Sequence, residues 1–87
     1  MKSLQALTSV ERLVEARALL ASGEARRIRL ASGISQGKMA AELGVSVSAI
    51  HRWERGERVP RGRAATDYAA LLLRLRGMLE SRCHPAN

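Results

Sequence analysis

The chain has 87 residues, enough for one small domain and too few for two. With no phenylalanine, one tryptophan and one tyrosine, its core has to be built from Leu, Ile, Val, Met and Ala, and the lack of any Val/Ile/Thr alternation excludes a strand pair and predicts an all-α fold. The formal charge of +7, carried almost entirely by arginine, points to nucleic acid, because the guanidinium fork fits phosphate and the guanine edge.

The opening MKSLQALTSVERL lacks the unbroken apolar core of a signal peptide, and no stretch approaches the roughly 20 apolar residues of a membrane span, so a cytoplasmic location is expected. Thr8 and Glu11 form a T-x-x-E capping box ahead of Leu13, Val14, Leu19 and Leu20, which predicts a first helix over about residues 9–21. Gly23 interrupts it, with Ser22 as a cap for a second helix over about 23–32 that stops at Gly33. Because a glycine inside a helix costs only about 1 kcal/mol, two helices and one bent rod both fit this stretch.

Ser35 caps a third helix that runs to about Leu43, and Gly44 is the natural left-handed residue after it. Ser46 caps a fourth, about 47–55, closed by Gly56. The segment ERVPRGR, residues 57–63, carries Pro60 and Gly62 and cannot continue the helix. A last helix is expected over about 63–79. The single cysteine, Cys83, excludes an intramolecular disulfide and a thiolate zinc site within one chain. With His84 it offers at most half of a metal site, and the pair is read instead as part of a polar tail, so no metal and no cofactor is expected.

Two short helices separated by Gly44-Val45-Ser46 meet the requirements of a helix-turn-helix. Ala40 stands where the helices must approach closely, Gly44 makes the turn, and Val45 and Ile50 are the apolar pegs. On the opposite side of the fourth helix Val47, Ser48, His51, Arg52 and Arg55 share one face. Arg52 can grip a guanine bidentately and Val47 can pack on a thymine methyl. His51 suits a base or phosphate contact, with an uninvolved exposed imidazole as the alternative. Trp53, three residues from Ile50, reads as core rather than as a stacking platform. Arg55, Arg58, Arg61 and Arg63 surround the following turn, where each can neutralise a phosphate; the alternative is a solvated loop in which Glu57 sits among the arginines. No catalytic triad, phosphate-cradling loop or paired carboxylates are present, which argues against an enzyme.

The run S-Q-x-x-M-A-x-x-L-G-V-S-x-x-x-I-x-x-x-E-x-G, from Ser35 to Gly56, resembles the phage-repressor and Cro-like helix-turn-helix (XRE) family. With Arg29 before it and Pro60 and Tyr68-Ala69-Ala70-Leu71-Leu72 after it, the resemblance spans roughly residues 23–75. Met39 replaces the family's usual leucine, and Gly37 is unusual in the first turn of its helix. The resemblance implies a lambda-repressor-like helix-turn-helix domain over 23–79; with the extra N-terminal helix of the extension (1–22), which lies outside the resemblance, five helices are expected, followed by a flexible tail (80–87). It implies base reading by Val47, Ser48 and Arg52, phosphate binding by Gln36 and Ser46, and a structural ion pair between Glu54 and Arg29.

In the last helix Tyr68, Leu71, Leu72, Leu75, Met78 and Leu79 cover an arc of about 140°, widened to about 220° by Ala69 and Leu73. One core does not need so wide an arc. Leu71, Leu73, Leu75 and Met78 are therefore expected at a homodimer interface, unless the N-terminal helix covers them. The expected function is that of a sequence-specific double-stranded DNA-binding regulator of bacterial or phage type, a repressor acting as a homodimer on a near-palindromic operator and associated with the nucleoid. The alternatives are an antitoxin, with a protein partner on the N-terminal helix, and an adaptor that has lost DNA binding.

Overall fold

The computed structural model describes residues 9–83, so Thr8 of the expected capping box and the end of the tail lie outside it. Five helices follow one another: α1 (Ser9–Ala21), α2 (Glu24–Ala31), α3 (Gln36–Leu43), α4 (Val47–Glu54) and α5 (Gly62–Cys83). No strand occurs among the described residues. The fold is the all-α, five-helix arrangement expected of the lambda-repressor class.

The junction that the sequence left open between the first two helices is a true break. Gly23 takes a left-handed conformation at φ 79° and is itself the N-cap of α2. Ser22 acts one residue earlier than expected: its Oγ accepts the Glu24 N–H at 3.3 Å and donates to the Leu19 carbonyl at 3.2 Å. The next two helices start as predicted, with Ser35 Oγ accepting the Lys38 N–H at 3.0 Å and Ser46 Oγ accepting the Ala49 N–H at 3.1 Å. Between them the chain turns at Gly44, φ 70°, where the Val45 N–H reaches back to the Ala40 carbonyl at 3.0 Å and the Gly44 N–H to Ala41 at 3.3 Å. That pair of bonds satisfies the last carbonyls of α3 and requires a left-handed residue, which glycine adopts without strain.

The core is assembled from all five helices: Ala16, Leu19, Ala25, Ile28, Met39, Ala40, Ile50, Trp53, Ala65, Tyr68, Ala69 and Leu72 are buried. Met39 fills the family's leucine position at 1% exposure, as its similar volume allows. Trp53 is core, its ring centroid 5.1 Å from that of Tyr68 and tilted by 40°, an aromatic pair that joins α4 to α5. Burial pushes the Tyr68 hydroxyl pKa up, so it stays neutral.

The wide apolar arc of α5 is met from within the chain. α1 packs along α5, forming the most extensive helix pair among the described residues, and Ala16 of α1 and Ala65 and Ala69 of α5 are fully buried. Leu71, Leu73, Leu75 and Leu79 are partly buried against the core. Of the four residues expected at a dimer interface only Met78, 60% exposed, stands clear of it. α5 also begins at Gly62 and runs to Cys83, four residues beyond the expected end, because no proline or glycine follows Gly77 until Pro85.

Gly37 sits in the first turn of α3 without a positive φ, and a Cβ there would meet only Ser35 Oγ, at 3.8 Å. Gly37→Ala should therefore stabilise the domain by about 0.5–1 kcal/mol by restricting the unfolded chain. Thermal unfolding would show this as a rise of roughly 3–6 °C; a lower melting temperature would mean the backbone at Gly37 is not compatible with a side chain.

Candidate nucleic-acid interface

α4 has eight residues, too few to hold a helix by itself, so its placement comes from packing. Ile50, fully buried, and Trp53, 5% exposed, form its inner seam. With about 100° between successive residues, Val47, His51, Arg55, Ser48 and Arg52 fall on the opposite face over about 140°. All five are exposed, Val47 at 50%.

The far end of α4 is clamped by a buried ion pair. Arg29 Nε donates to Glu54 Oε2 at 2.5 Å and Nη2 to Oε1 at 3.0 Å, with the two side chains only 7% and 2% exposed. Arg29 Nη1 donates to the Ile34 carbonyl at 2.8 Å. Burial alone would raise the Glu54 pKa; the hydrogen bonds from Arg29 and Gln36 reverse that and hold it below the usual carboxylate range. The same pairing raises the pKa of Arg29.

Gln36, expected on phosphate, is drawn inward: its Nε2 donates to Glu54 Oε1 at 3.1 Å. It opens α3 and thereby ties a third helix to the Arg29–Glu54 pair. Nothing in its spacing foretold this, because the contact arises from how α3 lies beside the end of α4. Ser46, also expected on phosphate, is exposed and caps α4 through its Oγ.

The four arginines around the following turn differ in their engagement. Arg55 Nε donates to Glu57 Oε2 at 2.7 Å, both side chains being exposed. Arg63 lies 3.9 Å from Asp67 and is 93% exposed. Arg58 and Arg61 are exposed, and among the described residues neither has a carboxylate within ion-pair distance. The result is an exposed rank of cations at the exit of α4, continuous in sequence with the outer face of that helix. No cluster of metal-ligating side chains occurs among the described residues, and none of the described helices is long and apolar enough to cross a membrane.

An eight-residue helix capped by Ser46, set by a three-residue turn against α3 and exposing arginine on its free face, defines a helix-turn-helix protein of the DNA-binding class. A family model described as helix-turn-helix matches residues 26–72, more than half of the chain. The protein belongs to that family, the XRE or Cro-like DNA-binding regulators. Comparison with curated proteins gave no match, and comparison with solved structures gave none either.

Removing one partner of the buried pair strands the other charge, so Glu54→Ala should cost about 3–5 kcal/mol, much of what a small domain has. The pH dependence has a definite sign. Because the folded Glu54 pKa is depressed, its contribution is complete above the ordinary carboxylate value of about 4.3 and is lost as pH falls from there through the folded value. Thermal melts across that acid range should show the parent losing stability more steeply than Glu54→Gln, whose side chain cannot titrate; parallel curves would exclude the pair as the source.

Proposed function

We propose that the protein is a sequence-specific transcriptional repressor that reads double-stranded DNA with the outer face of α4. The carrying observation is the exposed edge of Val47, Ser48, His51 and Arg52 opposite a fully buried Ile50. A guanidinium and an apolar side chain on one free helix edge are suited to guanine O6/N7 and to a thymine methyl in the major groove. Ser46, Arg55, Arg58, Arg61 and Arg63 bind phosphate around that helix. Gln36 contributes there chiefly by bracing Glu54, since its amide nitrogen already serves the carboxylate.

The protein acts as a homodimer on an inverted repeat, with the two α4 helices about 34 Å apart, one turn of DNA. The side chains best suited to a second copy are the exposed Met78 on α5 and Val10 and Val14 on α1. Leu71, Leu73 and Leu75 are partly buried against the core and offer a second copy only their exposed edges. Met78→Glu should weaken self-association while leaving the helical fold intact, with a melting temperature that no longer rises with protein concentration. Sedimentation showing a monomer at high concentration, both free and on DNA, would exclude the dimer.

Reading and clamping separate in the choice of DNA. Arg52→Ala should cost about 1–3 kcal/mol on the preferred site and little on random duplex, relaxing the preference at one base pair per half-site. Arg58→Ala should weaken both by similar factors and flatten the salt dependence by about one unit for the phosphate that the arginine no longer neutralises. Binding of both variants to selected and scrambled duplexes over a salt series tests the assignment. Equal weakening of both duplexes by Arg52→Ala would make Arg52 a phosphate clamp and pass base reading to Val47, Ser48 or His51.

A further inference from the structure

At the exit of α4 the last exposed arginine of the reading helix is already occupied. The helix stops at Gly56, φ 75°, where the Gly56 N–H bonds the Trp53 carbonyl at 3.1 Å and the Glu57 N–H bonds the Arg52 carbonyl at 2.9 Å. This closure fixes the backbone of Glu57 against the last turn of α4. From there its carboxylate accepts Arg55 Nε at 2.7 Å, with the two side chains 60% and 49% exposed. A pair so open to water contributes little to stability, and both partners are exposed. Its position at the edge of the DNA-reading face is what calls for an explanation.

We propose that Glu57 gates the DNA backbone contact of Arg55, its carboxylate taking the place on the guanidinium that a DNA phosphate takes in the complex. The inference rests on the reading of the α4 face as the DNA interface. A carboxylate and a phosphate present the same acceptor geometry to an arginine, so Arg55 engages DNA by exchanging one anion for the other. The exchange keeps the net gain small, and the displaced carboxylate then stands beside the phosphates and repels them. Arg55 holds the Glu57 carboxyl below its usual range, with smaller contributions from His51 and Arg52; the carboxylate is thus charged wherever DNA is bound. Since non-specific binding depends on phosphate contacts alone, restraining one of them lowers affinity for DNA in general and leaves discrimination to the base-facing side chains.

The test is a double-mutant cycle in the full chain, read by binding to a random-sequence duplex over a salt series. Glu57→Gln should tighten binding roughly two- to five-fold at low salt, with the salt slope steeper by about one phosphate contact and the gain fading as salt rises. In an Arg55→Ala background the same change should gain distinctly less, only the relief of the carboxylate's repulsion of nearby phosphates, with Glu80→Gln, an exposed control on α5, as the measure of net charge alone. An equal gain in both backgrounds would reduce the effect to net charge and overturn the gate, as would no gain at all. A DNA-free measurement distinguishes the two levels of the argument: in NMR titrations Arg55→Ala should raise the Glu57 carboxyl pKa, and an unmoved pKa overturns the pairing itself. Should the pairing hold while the parent chain binds no duplex, the DNA reading fails and the gate with it.

Discussion

The exposed edge of α4 depends on the ion pair between Arg29 and Glu54. Two charges taken out of water cost several kcal/mol each, and that cost is offset only when the geometry is close to ideal and the remaining donors and acceptors are used. Here the guanidinium approaches both carboxylate oxygens, its third nitrogen is taken by the Ile34 carbonyl, and Gln36 adds a further donor to Glu54. The network joins α2, the turn before α3, the first residue of α3 and the last residue of α4. It fixes the end of an eight-residue helix whose other constraints are the Ser46 cap and the Ile50–Trp53 seam. With three points held, the rotation of α4 about its axis is determined, and with it which side chains face outward.

The same network sorts the arginines. Arg29 is spent internally and is 6% exposed, so it adds nothing to the field that an approaching polyanion meets. Arg52, Arg55, Arg58, Arg61 and Arg63 are all exposed and follow one another along α4 and the turn after it. A net charge of +7 on 87 residues would by itself give only non-specific attraction. Confining several of these charges to the neighbourhood of one precapped helix turns that attraction into an oriented approach.

How much of this was legible in the sequence follows from the range of each interaction. Ser35 and Ser46 cap and Gly44 turns through bonds to residues three to five positions away, so residue type at fixed spacing sufficed. The Arg29–Glu54 pair spans 25 positions and was legible only because the Ser35-to-Gly56 pattern resembles a family in which those positions pair. Gln36 shows the limit of that route: its matched position implied a phosphate contact and carried no sign of the hydrogen bond its amide nitrogen gives Glu54. In α5 the width of the apolar arc told that more than one surface had to meet it, but arc width carries no information about the partner. That α1 packs along this helix required the tertiary path of the chain.

Glu54 and Glu57 stand three residues apart on the same stretch and take opposite parts, for reasons that lie in solvent rather than in chemistry. Both accept a hydrogen bond from an arginine Nε at short range, 2.5 Å in one case and 2.7 Å in the other, and both have lowered pKa values. At Glu54 water is excluded, so breaking the pair leaves an unsolvated charge and the helix end stays where it is. At Glu57 water reaches both partners, the pair exchanges readily, and another anion can take over the guanidinium at little cost. The boundary between them is Gly56, whose left-handed turn ends α4 and carries the chain out of the core. One carboxylate therefore fixes the interface and the next remains free to respond to what binds there, a division set by where the helix stops.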